Sequence, residues 1–190
     1  MKDEFQQEQD LIKFLKSDSY RMNILNAVNS IEKKELWIAG GFIRNLVWDK
    51  LHNYFYRTEL GDIDVFYFDN EEIDKEKELE IENDLTQLVH NVNWSVKNQA
   101  RMHLHDDNQP YKNLEDAISK FPETASAICV HVDHNKNFTF LAPFGLKDLF
   151  GLKIIPTPNC RENLKTYNQY KRRQLKKKWT TIWPLLEVEI

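Results

Sequence analysis

The chain has 190 residues, a formal net charge of -4 and a hydrophobic content of 41%. This length suits one well-buried core, and the composition is that of a globular chain rather than a disordered one. The mild negative charge gives no general attraction to nucleic acid or anionic lipid, so any basic site must be local. The sequence shows no apolar run of membrane-spanning length and no signal peptide, and Cys129 and Cys160 are predicted to be reduced thiols. We therefore predict a cytoplasmic protein with no membrane segment.

Apolar spacing predicts an alternation of helices and strands. Residues 1–34 carry two apolar stripes at helical spacing and are predicted to form two short helices. The run ELWIAGG predicts a buried strand that stops at glycine, FIRNLVWDKLH predicts a helix that follows at once, and DIDVFYFD predicts a second strand. A charged helix is predicted over residues 71–92, and its expected buried positions are Ile73, Leu79, Ile81, Leu85 and Leu88.

The second half of the chain predicts a third strand, a hairpin and a helical tail. In the strand NWSVKNQARMHL, the apolar face would carry Trp94, Val96, Ala100 and Met102, and the polar face Ser95, Lys97, Gln99 and Arg101. The segment ASAICVHVDHNKNFTFLA predicts a hairpin that turns at HNKN. The expected apolar positions of the tail are Leu164, Tyr167, Leu175, Trp179 and Ile182.

This order of elements predicts an α+β fold with one small mixed sheet. We expect a single domain over residues 1–190. Its parts would be N-terminal helices over 1–34, a core over 35–155 and a basic C-terminal helix over 156–190.

Two adjacent glycines, Gly40 and Gly41, lie between the first strand and the helix that begins at Phe42. Glycine lets a ligand approach the backbone closely, and a helix start presents unpaired N–H groups and a positive dipole end. These features predict a phosphate site, to which Arg44 in the first helical turn would add a bidentate contact. The alternative is a glycine strand exit that binds no ligand.

Two carboxylates, Asp62 and Asp64, fall on the same face of the second strand, and Ile63 and Val65 fall on the other. Like charges this close resist ionising together unless a cation lies between them. Oxygen ligands on a rigid strand suit Mg²⁺ or Mn²⁺. The pair therefore predicts a metal site, and the alternative is a solvated strand end whose acids cap a turn after Gly61.

The ordered pair GG and DIDV resembles the signature of the polymerase-β-like nucleotidyltransferase superfamily. The segment GGFIRN is similar to the Gly-Gly-x-x-Arg-Asp segment of the CCA-adding and poly(A) polymerase branch, with Asn45 in place of its aspartate. A closer resemblance is to a bacterial family of predicted nucleotidyltransferases. It is carried by LWIAGGFIRNLVWDKLH, DIDVFYFD, WSVKNQARMH, PETASAICV, APFGLKDLFGLKIIPTP and KKKWTTIWP, and it covers most of the chain after residue 35.

This resemblance implies the nucleotidyltransferase fold and the transfer of a nucleoside monophosphate from an NTP. The phosphates would lie at Gly40, Gly41 and the following helix, and Asp62 and Asp64 would hold Mg²⁺ or Mn²⁺ beside the α-phosphate. The acceptor could be RNA, a protein hydroxyl or a small molecule.

The sequence departs from the superfamily pattern in one respect. Many members carry a third carboxylate on the neighbouring strand, but here the polar face of that strand offers Lys97 and Arg101, which we treat as candidate phosphate contacts. Asp106, Asp107, Glu123 and Asp133 are the candidate substitutes for the missing acid. The same gap leaves open an alternative function, a degenerate module that binds nucleotide or RNA without turnover.

Two further clusters carry open alternatives. The run HLHDD, residues 103–107, has metal-ligand residue types, but a polar strand end is the alternative. The tail gathers six cations at Lys171, Arg172, Arg173, Lys176, Lys177 and Lys178. This basic segment, 171–178, is predicted to contact RNA or the triphosphate, with Trp179 available to stack on a base, and the alternative is a solvated helix face.

Overall fold

A computed structural model describes residues 3–106, 108–162 and 164–190, and of residues 105 and 106 only the backbone. The helices are α1 Glu4–Lys16, α2 Ser19–Asn29, α3 Gly41–Leu51, α4 Glu76–Leu88, α5 Gln99–Asp106, α6 Leu114–Ser119, α7 Lys147–Phe150, α8 Pro158–Arg161, α9 Leu164–Lys177 and α10 Trp179–Ile182. The strands are β1 Trp37–Ala39, β2 Ile63–Tyr67, β3 Trp94–Asn98, β4 Cys129–Val132, β5 Phe138–Leu141, β6 Lys153–Ile154 and β7 Glu187–Val188. A single 3-10 turn, Thr124–Ser126, precedes β4 in the described chain.

The central sheet has the strand order β3-β2-β1-β4-β5. The β2 strand pairs in parallel with β3, and the other neighbours in this sheet pair antiparallel. A small parallel pair, β6 with β7, lies outside it. This mixed sheet packed with helices confirms the predicted α+β class, and the predicted hairpin forms as β4 and β5.

The two faces of the sheet have different environments. Ile63 and Val65 point into the main hydrophobic core, which they share with residues of α1, α2, α3 and α4. On the opposite face, Phe66 joins a smaller cluster covered by α6. The acids of β2 are therefore on the side away from the main core, as the alternation of the sequence predicts.

The α3 helix begins at Gly41, directly after the first strand, as predicted. Residues 42–49 are all buried, so this helix is enclosed on every side rather than amphipathic. It therefore crosses the middle of the domain, and its N-terminus is fixed beside the end of β1.

The predicted third strand is too long. β3 ends at Asn98, and the segment from Gln99 onward is helix α5. The buried Asn98 side chain accepts hydrogen bonds from the backbone N–H groups of Asp69, at 3.0 Å, and Ala100, at 3.1 Å. These bonds stabilise a turn at Asn98, so Arg101 lies on a helix and not on the polar strand face.

The burial predicted for the charged helix is also partly wrong. Ile81 and Leu85 are buried as predicted, but Leu79 and Leu88 are exposed, as is Ile73, which precedes α4. The third buried position of the helix is Glu78, whose carboxylate accepts from the backbone N–H of Asn98 at 2.8 Å. The buried face of this helix is thus determined partly by a polar contact with β3, which the spacing of apolar residues does not reveal.

The C-terminal tail is an integral part of the domain. Tyr170, Trp179 and Trp183 lie in the main core. Of the predicted apolar positions of the tail, Trp179 is buried and Tyr167 half-buried, but Leu164, Leu175 and Ile182 are exposed. The reason is a break between α9 and α10, because Lys178 adopts a left-handed conformation with φ 49°. The two helices therefore do not share one face. No described helix is both long and apolar enough to cross a membrane.

Candidate nucleotide-binding and metal site

A tight turn joins β1 to α3 and leaves two helix-start N–H groups free. Gly40 has φ 56° and ψ -111°, a conformation that glycine adopts most readily, and its carbonyl accepts from the N–H groups of Ile43 and Arg44. No side chain caps α3, and the N–H groups of Gly41 and Phe42 donate no hydrogen bond within the described residues. Such groups are available to an anionic ligand.

Packing within the protein does not explain the second glycine. A Cβ atom on Gly41 would meet its nearest neighbours, Arg44 Nη2 and Asn45 Oδ1, at 3.5 and 3.9 Å, which are ordinary contacts. Glycine at this position leaves the backbone of the helix start open to a ligand. The absence of a side chain thus fits close approach by a ligand, whereas Gly40 is already required by its backbone conformation.

The two predicted metal acids lie at the start of β2. Asp62 is exposed and accepts a hydrogen bond from the Asn93 amide, and Asp64 is half-buried opposite Ser95 of β3. Burial raises the pKa of the Asp64 carboxyl; a hydrogen bond from Ser95 opposes this shift, and the neighbouring Asp62 charge adds to it. Lys97 and Arg173 lower the pKa by smaller amounts.

The glycine turn and the acids are neighbours in the sheet. β1 pairs antiparallel with β2 so that Trp37 faces Phe66 and Ile38 faces Val65. Continuing this register brings the end of β1, just before Gly40, alongside Asp64. The structure therefore brings together the two motifs that the sequence places about twenty residues apart.

The candidate metal ligands that the structure places here are two carboxylates, Asp62 and Asp64. No group of three or more His, Cys, Asp or Glu side chains that could hold a metal occurs among the described residues. Two adjacent acids, one of them a half-buried carboxyl whose pKa is raised by burial, fit a divalent cation, because its charge would favour their ionised forms and water and phosphate oxygens would complete its ligands. In the run HLHDD, His103 contacts the carbonyl of Ala100, and Asp107 and the side chains of residues 105 and 106 lie outside the description.

Arg44 is enclosed by protein groups. Its Nη1 donates to Ser126 Oγ at 2.8 Å and its Nη2 to Asn45 Oδ1 at 2.9 Å, and its guanidinium lies 5.1 Å from the ring centroid of Trp48 and 4.2 Å from that of Trp179. Burial lowers the pKa of Arg44 to about 10, while the charges of Glu123 and Asp64 raise it. Only 7% of this residue is exposed, so a direct bidentate phosphate contact would require its present bonds to change.

The two candidate phosphate contacts that the sequence places on the third strand, Lys97 and Arg101, have different environments. Arg101, on α5, donates to both carboxylate oxygens of Glu78, at 2.6 and 2.5 Å, and so forms a structural ion pair away from the predicted strand face. Lys97 is on β3 as predicted, and its charge acts on Asp64. Its ammonium donates to the Val96 carbonyl and is 4.0 Å from Glu78.

The basic C-terminal helix reaches the site through Glu123. This fully buried carboxylate accepts from Arg173 Nε at 2.8 Å and from Gln174 Nε2 at 2.9 Å. Trp179, only 5% exposed, lies between Arg44 and Arg173 and has no free face for a base, contrary to the sequence prediction. Asp133, another candidate acid, accepts a hydrogen bond from Asn137 in the hairpin turn that follows β4. Cys129, on which the charge of Asp64 acts, lies at the opposite end of β4, so Asp133 is away from Asp64.

Sequence reasoning missed two serines that complete the site. Ser95 supports Asp64, and its position opposite an acid on a neighbouring strand was visible only once the strand register was known. Ser126 accepts from Arg44 across 82 residues of sequence, and no local pattern marks it.

Replacing Asp64 with Asn should stabilise the metal-free protein at neutral pH. A carboxyl whose pKa is raised in the folded state costs stability once pH rises through the unfolded and then the folded pKa. We expect Asp64→Asn to have the higher melting temperature in EDTA at pH 7, with the difference shrinking toward pH 4. Calorimetric melting across this range, with Asp116→Asn as a control, tests the expectation. An Asp64→Asn variant less stable than the parent at pH 7 would contradict it.

A sequence profile described as Nucleotidyltransferase matches residues 26–188. An NMR structure described as a CCA-adding enzyme head domain is 30% identical, with 95% of each chain covered and a TM-score of 0.83. No curated protein sequence matches the chain.

Two larger structures share the fold. A CCA-adding enzyme with CTP is 13% identical, with 94% of this chain and 43% of that chain covered and a TM-score of 0.63. The Thermotoga maritima CCA-adding enzyme with tRNA is 14% identical, with 94% and 42% covered and a TM-score of 0.57. The chain thus spans less than half the length of these two enzymes. The profile match over most of the sequence shows that the chain belongs to the nucleotidyltransferase family.

Proposed function

We propose that this protein transfers a nucleoside monophosphate from an NTP to an acceptor hydroxyl, with Mg²⁺ or Mn²⁺ bound by Asp62 and Asp64. The observation that carries the proposal is the position of the Gly40–Gly41 turn beside Asp64. Free helix-start N–H groups and a pair of carboxylates meet there, and together they match the two ends of a metal-bound triphosphate.

The chain's own groups bind and orient the reactants. The N–H groups of Gly41 and Phe42 donate to phosphate oxygens, and Ser95 and Asn93 fix the directions of the two carboxylates. When bound, the metal supplies positive charge that neutralises the acids and polarises the α-phosphate. In the reaction the acceptor oxygen bonds to the α-phosphorus, the bridging bond to the β-phosphate breaks, and pyrophosphate and the hydroxyl proton are released.

RNA is the acceptor that the comparisons favour. The relative at 30% identity is described as a CCA-adding enzyme head domain, and one structural neighbour is bound to tRNA. The basic segment 171–178 also offers exposed cations, including Arg172 and Lys176, on the outer surface of α9. We therefore propose an RNA 3′ hydroxyl ahead of a protein or small-molecule acceptor.

A second function, nucleotide or RNA binding without turnover, is favoured by one observation. The polar side of β3 carries Ser95 and Lys97 where a third carboxylate would stand, and the buried Glu123 is engaged by Arg173 and Gln174. Such a site holds fewer negative charges for metal ions than a three-carboxylate site does.

Transfer should occur from at least one NTP and depend on both acids. Purified protein would be incubated with each of four α-labelled NTPs, with Mg²⁺ or Mn²⁺, and with total RNA. We expect label on RNA with the parent protein and none with Asp62→Asn/Asp64→Asn, whose fold is checked by circular dichroism. NTP binding without label on RNA, protein or metabolites of an added extract would favour the binding module instead.

Gly41→Ala should weaken NTP binding without weakening the fold. The added methyl group has room in the protein and favours a helix start, so stability should be unchanged or raised by up to about 1 kcal/mol. It would narrow the approach that glycine leaves open to a ligand at the helix start, so NTP affinity should fall about tenfold or more.

Two other glycines provide controls for this experiment. Gly40→Ala should lower stability, because Gly40 has a positive φ, and Gly61→Ala should affect neither property, because a Cβ there meets nothing within 4 Å. Calorimetric NTP titration and thermal melting give both readouts. Unchanged NTP affinity in Gly41→Ala would place the phosphates elsewhere.

A further inference from the structure

We propose that α9 supplies two triphosphate-binding cations, Arg173 and Lys177, and that Glu123 positions them. This inference rests on the proposed function and deepens it, because it identifies which residues of the C-terminal helix meet the β- and γ-phosphates. It also divides the basic segment 171–178 into an inner pair that faces the site and an outer set that does not.

The helical spacing of α9 separates these two sets. Arg173 and Lys177 are four residues apart and share a face with the buried Tyr170, three residues before Arg173. Arg172 and Lys176 are also four residues apart and lie on a neighbouring face. Lys177 is exposed as they are, so the direction of its face, and not its burial, separates it from them. Lys171, which is in neither pair, has its ammonium over the ring of Tyr167, 4.8 Å from the ring centroid.

Glu123 fixes the inner face of α9 against the site. Its Oε1 accepts from both Arg173 and Gln174, and its backbone precedes the turn that carries Ser126, the partner of Arg44. Arg173 also lies 5.3 Å from the ring centroid of Trp179, and Arg44 lies 4.2 Å from the same centroid. The position of Arg173 is therefore determined by the same contacts that hold the start of α3.

The charges of this region leave an excess of cations. Arg44, Arg173 and Lys177 act on one another; Glu123 offsets Arg44 and Lys177, and Asp64 also acts on Arg44. The Lys177 ammonium makes no hydrogen bond or ion pair with any described residue, and its pKa is lowered first by burial and then by the charges of Arg173, Arg44 and Lys176. Because a bound metal would neutralise the two acids of β2, these cations need an anion from outside the chain.

A triphosphate fits this excess better than an RNA backbone does. Arg173 lies against Trp179, and Trp179 contacts Arg44 in the first turn of α3, so this face of α9 is turned toward the start of α3. The charge of Arg173 also acts on Asp64. An RNA strand on the outer face would instead meet Arg172 and Lys176. The inner pair is thus placed to bind the part of an NTP that leaves as pyrophosphate.

The probe that tests this assignment is inorganic triphosphate with Mg²⁺, measured by calorimetry beside NTP and NMP. Lys177→Gln removes a charge without breaking an ion pair seen in the structure, so it should fold normally and bind triphosphate and NTP about tenfold or more weakly. Arg173→Gln/Lys177→Gln should lose more. Arg172→Gln/Lys176→Gln, with the same change in net charge, should bind like the parent, and NMP affinity should be unchanged throughout.

Glu123→Gln separates positioning from direct contact. It weakens the hydrogen bond to Arg173 without removing a cation, so the affinity for triphosphate should fall. The double variant Glu123→Gln/Arg173→Gln should bind triphosphate no more weakly than Arg173→Gln alone. Equal binding by Lys177→Gln and Arg172→Gln/Lys176→Gln would overturn the inference. So would a loss of RNA binding in all lysine variants with triphosphate affinity intact. If transfer still depends on Asp62 and Asp64 in either case, the proposed function stands without this inference.

Discussion

A buried guanidinium connects the parts of the site. Arg44 is in the first turn of α3, and burial leaves its charge to be stabilised by protein groups alone. Ser126 accepts from one terminal nitrogen, and the ring faces of Trp48 and Trp179 cover the cation. Because a buried charge without partners costs several kcal/mol, α3, the 3-10 turn and α10 must assemble together.

This requirement explains why the C-terminal residues pack as part of the same domain as α3. Trp179 begins α10, and the helix before it, α9, reaches Glu123 through Arg173. The glycine turn, the acids of β2 and the basic helix are thus supported by one set of contacts, although they are far apart in sequence. In the proposed function the tail contributes to the phosphate site. The two larger enzymes that share the fold extend well beyond the length of this chain.

The sequence predicts the parts of the site that depend on local geometry. Gly40 and Gly41 mark a strand exit, and the alternation around Asp64 follows from the period of a strand, so neither needs knowledge of distant residues. The role of Arg44 is different, because its partners Ser126 and Trp179 are fixed only by tertiary packing. The same is true of the turn at Asn98 and the break at Lys178, where polar contacts and one left-handed residue override the apolar period.

In the proposed function, the glycine turn, the paired acids and the inner face of α9 bind one metal-bound triphosphate. Mn²⁺ with each NTP, added to isotope-labelled protein, tests it directly, because paramagnetic broadening reports proximity to the ion residue by residue. We expect selective loss of the amide signals of Gly41, Phe42 and Asp64 and of the side-chain signals of Arg173, with no effect on Phe55, which follows the C-terminal end of α3. Broadening centred away from Asp64, or unchanged by Asp62→Asn/Asp64→Asn, would contradict it.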